Sequence, residues 1–190
     1  MDREALVRRL VHCLIAVTPV YYLLPEELPL APFRRWHLLI AFFLVIAAVE
    51  SIRLWRKATF FGLRPHEKHS IASFAWAAAG ITIALWLMPW EIATPVLIGM
   101  GLVDPLAGEL RRTGRPRCVA ICLPMSVYAT ICAVTLWALT DVTMPLILAL
   151  SAVGASLAVP AERWRSHYVD DDFLMIVVPG AIMSLLWLAV

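Results

Sequence analysis

Residues 36–55 read WHLLIAFFLVIAAVESIRLW, and this stretch decides the fold class. Glu50 and Arg53 are its only acidic or strongly basic side chains, and both lie near its end. A helix needs about 20 mostly apolar residues to cross the hydrocarbon layer of a bilayer. The stretch therefore predicts a transmembrane α-helix.

The rest of the chain has the same character. Its 190 residues are 62% hydrophobic and 16% charged, and the mean hydropathy is +0.81. Soluble domains are about half apolar and about a quarter charged. Because polar side chains could not cover this much apolar surface in water, we predict an all-α polytopic helix bundle in the lipid bilayer, with residues 1–190 as a single transmembrane domain. The net charge of +2 gives no indication of nucleic acid as a partner.

Seven segments are predicted to cross the membrane, and their short connections make neighbouring helices antiparallel. They are residues 6–24, 36–55, 70–88, 92–110, 119–139, 144–160 and 173–190. In the fourth, the apolar part is too short to cross, and Asp104-Pro105 follows it. Broken helices at membrane depth are tolerated only where they face protein or a wet cavity. We therefore expect a short or broken fourth helix close to a functional site.

Positive charges alternate between the connections. Of the 16 Lys and Arg residues, only Arg34 and Arg35 lie in the first connection, and the third and fifth connections have none. The others lie at the N-terminus and in the second, fourth and sixth connections. Positive residues stay on the cytosolic side of membrane proteins. The alternation predicts a cytosolic N-terminus, seven crossings and a C-terminus outside.

Asp104 is the first candidate for chemistry, because small residues flank it and arginines follow it. One interpretation is a carboxylate that holds a metal–phosphate complex, with Arg111 and Arg112 behind it. The alternative is an Asp-capped helix end followed by ordinary cytosolic positive charges.

A second group of acids precedes the last segment: Glu162, then Asp170, Asp171 and Asp172. Three consecutive acids repel one another unless a cation balances them, and Mg²⁺ takes carboxylate oxygens. Acids at a helix N-terminus are also favoured by the helix dipole, which is the structural alternative. Glu50 and Arg53 share a helix face, and a plain ion pair explains them equally well.

These positions, in this order, resemble the CTP-dependent polyprenol kinases, the family of dolichol kinase and phytol kinase, which is distantly related to phosphatidate cytidylyltransferase. The matching stretches are Arg8-Arg9-Leu10-Val11-His12, Glu50 with Arg53, Asp104-Pro105-Leu106-Ala107-Gly108 with Arg111, Arg112 and Gly114, Glu162 with Asp171-Asp172-Phe173 and, more weakly, Glu67-Lys68. The family's K-T-x-E-G-S segment has no counterpart after Gly114.

The resemblance implies a Mg²⁺-dependent phosphotransferase at the cytosolic face, with CTP or another nucleotide as donor and a lipid alcohol such as a polyprenol as acceptor. Asp104 and Glu162 would be catalytic, and Asp104 and Asp170 to Asp172 would hold the metal. The nucleotide would be bound by Glu50, Arg53, Lys68, Arg111 and Arg112. A cytidylyltransferase that forms a CDP-lipid is an alternative, and the missing lysine segment favours another, a non-enzymatic membrane scaffold or transporter. If one metal–nucleotide complex is bound, Asp104 and the acids at 170–172 must lie within about 4–8 Å of each other.

Overall fold

The computed structural model describes residues 3–29, 32–59, 67, 69–162 and 169–189. Seven α-helices and one short 3₁₀ helix account for most of them, and no β-strand occurs in these ranges. The α-helices are α1 (Arg3–Ile15), α2 (Arg35–Arg56), α3 (Ser73–Leu87), α4 (Trp90–Arg112), α5 (Arg117–Leu139), α6 (Met144–Ala161) and α7 (Asp171–Trp187). The prediction of an all-helical bundle is confirmed.

Helix α2 carries most of its apolar side chains on the outside of the bundle, whose buried core is formed mainly by α3 to α7. In α2, only Leu39, Glu50 and Arg53 are buried, so the inward positions of its last turns are charged. Leu44 and Val45 on the same helix are about 60% exposed. A helix with buried charges and exposed apolar side chains suits lipid and not water. Four described helices, α2, α4, α5 and α6, are long and apolar enough to cross a membrane.

The first predicted segment is divided into two pieces. Helix α1 ends at Ile15, and a 3₁₀ helix covers Thr18–Leu23. Thr18 Oγ1 donates to the carbonyl of Ile15 at 2.7 Å, and Pro19 at the start of the 3₁₀ helix has no N–H for an α-helical hydrogen bond. The side-chain bond and the proline explain why one apolar segment becomes two helices.

The prediction of a short or broken fourth helix is wrong, because α4 is continuous over 23 residues. Helix α4 runs without interruption from Trp90 to Arg112 and contains both Pro95 and Pro105. A proline removes one backbone hydrogen bond, here the bond that residue 105 would give to Gly101. Helix α4 packs against α1, α3, α5 and α7, and this burial on several sides holds the helix together through the local defect.

Small residues let α1 approach α4 closely. A Cβ atom added at Gly101 would lie 2.6 Å from the backbone nitrogen of Ala16 and 2.8 Å from the carbonyl oxygen of His12. Both contacts are with backbone, so a side chain at this position would push the helices apart. Gly101 therefore sets the distance at which His12 faces α4.

Candidate functional site

Polar contacts between helices gather at one end of the bundle. Ser73 Oγ donates to Asp170 Oδ2 at 2.9 Å and joins the start of α3 to the start of α7. Arg111, near the end of α4, pairs with Glu162, which immediately follows α6. The alternating directions of the helices bring these termini together. Of the cations that the sequence assigns to the cytosol, Arg9, Arg53, Arg111 and Arg112 lie at this end in the described part of the chain.

His12 lies at the centre of the polar end, between two acids from other helices. Its Nε2 atom is 3.2 Å from Asp104 Oδ2 on α4 and 3.2 Å from Asp172 Oδ1 on α7. The His12 and Asp172 side chains are 9% and 3% exposed, and that of Asp104 is 19% exposed. The cluster therefore ties three helices together and leaves the Asp104 carboxylate partly exposed.

The electrostatics of this cluster favour a cation. The Nε2 atom carries at most one hydrogen, so it cannot give a well-aligned hydrogen bond to both carboxylates. Two carboxylates in a poorly polarisable environment repel each other strongly when nothing positive lies between them. One ligand atom from each of His12, Asp104 and Asp172 lies within 4.8 Å of the other two. The predicted approach of Asp104 to the acids before α7 is confirmed for Asp172.

The donor set fits Mg²⁺ through its oxygens. Mg²⁺ binds carboxylate oxygens at about 2.1 Å and retains several waters, which suits two acids and an open side. Imidazole is more typical of transition metals. His12 therefore suits a hydrogen-bonding neighbour of the metal shell, while Asp104 and Asp172 are the residues that would hold the ion.

The three consecutive acids have different surroundings. Asp170 is the N-cap of α7, where its Oδ1 accepts from the backbone N–H of Asp172 at 3.2 Å. This is the structural alternative that the sequence left open, and it accounts for Asp170. Asp171 lies in the first turn of α7, and carboxylate oxygens of all three acids lie within 4.8 Å of one another. Asp172 is the acid that faces His12.

Arginines surround the acids at the end of α4. Glu109 pairs with Arg9 of α1 and accepts from Arg112 Nη2 at 2.6 Å. The Arg112 side chain is 62% exposed and that of Arg111 is 43% exposed, whereas the side chain of Glu162 is 1% exposed. Buried Glu162 thus orients a guanidinium whose outer part remains accessible. An accessible Arg fork suits a phosphate.

Glu50 and Arg53 form a closed clamp. Arg53 Nε and Nη2 donate to Glu50 at 2.7 and 2.6 Å, while Nη1 and Nη2 donate to the carbonyls of Glu67 and Ser70 at 2.9 and 2.6 Å. Glu50 also accepts from the backbone N–H of Ala72 at 2.7 Å. The clamp fixes the connection that leads into α3. The Arg53 N–H groups described above donate to protein atoms. The geometry therefore supports a role in positioning the connection before α3 more directly than a role in phosphate binding.

The structure thus distributes the predicted site residues over three groups. Asp104 and Asp172 meet at His12, Arg111 meets Glu162, and Glu50 with Arg53 forms the clamp. Outside these groups, Arg112 pairs with Glu109, and Asp170 and Asp171 lie at the start of α7. Lys68 lies outside the described residues. Arg9 and His12 belong to a stretch that carries the family resemblance, but they are not among the predicted site residues. A histidine inside an apolar segment, one turn after an Arg pair, is a usable signal.

No protein-family model, curated protein or solved structure matches the chain.

Proposed function

We propose that this protein is a membrane-embedded phosphotransferase that moves a phosphoryl group from CTP, or another nucleoside triphosphate, to a lipid alcohol such as a polyprenol. Mg²⁺ is its cofactor, and the reaction takes place at the cytosolic end of seven crossings. The observation that carries the proposal is the convergence of His12, Asp104 and Asp172 from three helices, with Arg111 and Arg112 on the same end. The family resemblance supplies the donor and the acceptor.

Phosphoryl transfer needs positioning and charge neutralisation more than covalent participation by the protein. Mg²⁺, when bound by Asp104 and Asp172, supplies positive charge for the phosphate oxygens. Arg111 and Arg112 bind the same phosphates through their accessible guanidinium groups. Glu162 positions Arg111, and the Glu50–Arg53 clamp positions the start of α3.

The proposed reaction is a displacement at the γ-phosphorus. The oxygen of the lipid alcohol forms a bond to the γ-phosphorus, and the bond from that phosphorus to the β,γ-bridging oxygen breaks. The nucleoside diphosphate leaves with the electron pair of the broken bond. The proton of the alcohol passes to a carboxylate oxygen of Asp104, which is the more exposed of the two clustered acids. The apolar tail of the acceptor remains in the bilayer against the exposed faces of the helices.

The test uses purified protein in lipid nanodiscs with Mg²⁺, γ-labelled CTP or ATP and a panel of lipid alcohols. We expect transfer of label to a lipid monophosphate. Asp104→Asn should lower turnover about 100-fold or more, since it removes a proton acceptor and a metal ligand while preserving volume. Asp141→Asn is the matched control, because Asp141 is exposed in the connection after α5.

Three results would overturn the proposal. A CDP-lipid product, formed from a lipid phosphate and CTP, would establish the cytidylyltransferase instead. Absence of both turnover and Mg²⁺-dependent nucleotide binding would establish a scaffold or transporter whose polar contacts serve the fold. Equal activity of Asp104→Asn and Asp141→Asn would remove Asp104 from the mechanism.

A further inference from the structure

A polar cavity lies at the end of the bundle opposite the His12 cluster. It has a volume of about 430 Å³ and lies between the 3₁₀ helix, the start of α2 and the end of α3. Two arginines, one glutamate and four aromatic rings contribute to its wall. The residues used below are Arg34, Arg35, Glu26, Tyr21, Tyr22 and Trp86.

Arg35 is held in place by its surroundings. Its Nη1 atom donates to the carbonyls of Tyr22 and Leu24, both at 3.3 Å, and the guanidinium carbon lies 5.2 Å from the centre of the Tyr21 ring. Its Nη2 atom is 3.7 Å from Glu26 Oε1, beyond a normal hydrogen bond. The Glu26 side chain is 86% exposed, so an anion can take its place beside Nη2.

The charge distribution along the sequence also draws attention to Arg34 and Arg35. They are the only Lys or Arg residues in the connections that the sequence places outside the cytosol. Cations on that side oppose the usual distribution and call for a local reason. Tyr and Trp side chains are typical of the depth at which lipid headgroups lie, and Tyr22, Trp86 and Trp90 occur around this cavity.

We infer that this cavity binds the phosphate of a phospholipid headgroup in the leaflet opposite the His12 cluster. Arg35 presents a pre-oriented guanidinium, Arg34 adds a second cation at the rim, and an arginine fork matches two phosphate oxygens. The aromatic rings and Leu85 border the glycerol and the first acyl carbons. The site is separate from the proposed phosphotransferase site and does not depend on it.

The experiment measures retention of phosphatidylglycerol by the full-length protein in detergent, using native mass spectrometry. Wild-type protein should retain phosphatidylglycerol and lose diacylglycerol, which has no phosphate. Arg34→Gln should weaken retention about tenfold, which corresponds to about 1.4 kcal/mol, because it removes one charge-assisted contact to the phosphate. Arg35→Lys should also weaken it, since a lysine keeps the charge and loses the fork. Glu26→Gln should strengthen retention by removing the competing carboxylate.

Arg56→Gln is the matched control, because it removes an exposed cation from the opposite end of α2. Melting curves of each variant establish that the fold is kept, and Arg34→Gln carries the test if Arg35→Lys fails to fold. Equal retention by Arg34→Gln and Arg56→Gln would overturn the inference. Displacement of the lipid by inorganic phosphate at millimolar concentration would also overturn it, and would assign the cavity to a free anion.

Discussion

At the scale of single residues, His12 is the side chain on which the candidate site depends. It sits within 3.2 Å of two carboxylates that come from helices far apart in sequence. Without a partner of opposite charge, Asp104 and Asp172 would not be stable at this separation in a membrane protein. The same repulsion between the two carboxylates favours the binding of a divalent cation.

Metal binding should therefore depend on both acids. Asp104→Asn and Asp172→Asn should each lower the affinity for Mn²⁺, used as a paramagnetic probe for the Mg²⁺ site, by about tenfold, since each removes one of two charged ligands. Electron paramagnetic resonance of free Mn²⁺ measures the change in nanodiscs. Asp141→Asn should bind Mn²⁺ as the wild type does. Unchanged affinity in both cluster variants would show that the acids serve only to hold helices together.

The Glu50–Arg53 pair allows a separate test of buried charge. Glu50→Gln leaves the guanidinium of Arg53 buried without its counter-ion, and breaking such a pair destabilises proteins by about 3–5 kcal/mol. The melting temperature in detergent should fall clearly. Arg112→Gln breaks the exposed pair with Glu109, which has the same spacing of three residues, and should leave the melting temperature unchanged. Similar melting temperatures for the two variants would contradict the structural importance of the clamp.

At the scale of helices, the local sequence and the tertiary packing favour different positions for a helix end. Asp104-Pro105 is a strong local signal for a helix end, yet α4 continues for another seven residues after Pro105. Neighbouring helices surround α4, and this packing outweighs one missing hydrogen bond. In contrast, α1 ends at Ile15, shortly before Thr18-Pro19, where the Thr18 hydroxyl donates a hydrogen bond to the carbonyl of Ile15. Proline alone does not distinguish the two cases.

The contact between α1 and α4 should control the site through Gly101. Gly101→Ala places a methyl group against the backbone of Ala16 and His12, which cannot move without shifting α1. We expect a lower melting temperature and weaker Mn²⁺ binding, because His12 moves away from Asp104. Gly108→Ala on the same helix is the control, since its added Cβ would meet only Arg111 Nη2, at 3.7 Å. Unaltered Mn²⁺ affinity in Gly101→Ala would show that metal binding by the cluster does not depend on the contact between α1 and α4.

At the scale of the whole molecule, hydropathy predicted most of the helical elements because most apolar segments are about as long as a bilayer is thick, although the first segment forms two helices. Charge alternation predicted which helix ends belong together, and the contacts Ser73–Asp170 and Arg111–Glu162 join ends that it assigned to one side. Sequence could not show that Arg53 turns its donors inward to two carbonyls, or that His12 bridges Asp104 and Asp172. Both observations depend on the directions in which side chains of different helices point. The spacing of residues along the sequence does not determine these directions.

The topology follows from the same charge pattern and can be tested directly. Because all Lys and Arg residues except Arg34 and Arg35 lie in alternate connections, we expect the N-terminus in the cytosol and the C-terminus outside. An alkaline phosphatase fused after residue 189 should be active in a bacterial host, whereas a fluorescent protein fused there should remain dark. Fusions after Arg115 and after Asp141 serve as internal references, with the fluorescent protein bright at the first and the phosphatase active at the second.

A C-terminal reporter that works only in the cytosol would contradict seven crossings. That result would mean that one of the shorter helical segments does not cross the membrane. The candidates are α1 with its 3₁₀ helix, and α3, which are shorter than the four long helices. Arg9 and His12 of α1 contact Glu109 and Asp104 of α4, so the start of α1 lies at the end of the bundle that the charge pattern assigns to the cytosol. An N-terminal fluorescent protein should therefore be bright, and an active N-terminal phosphatase would contradict this orientation.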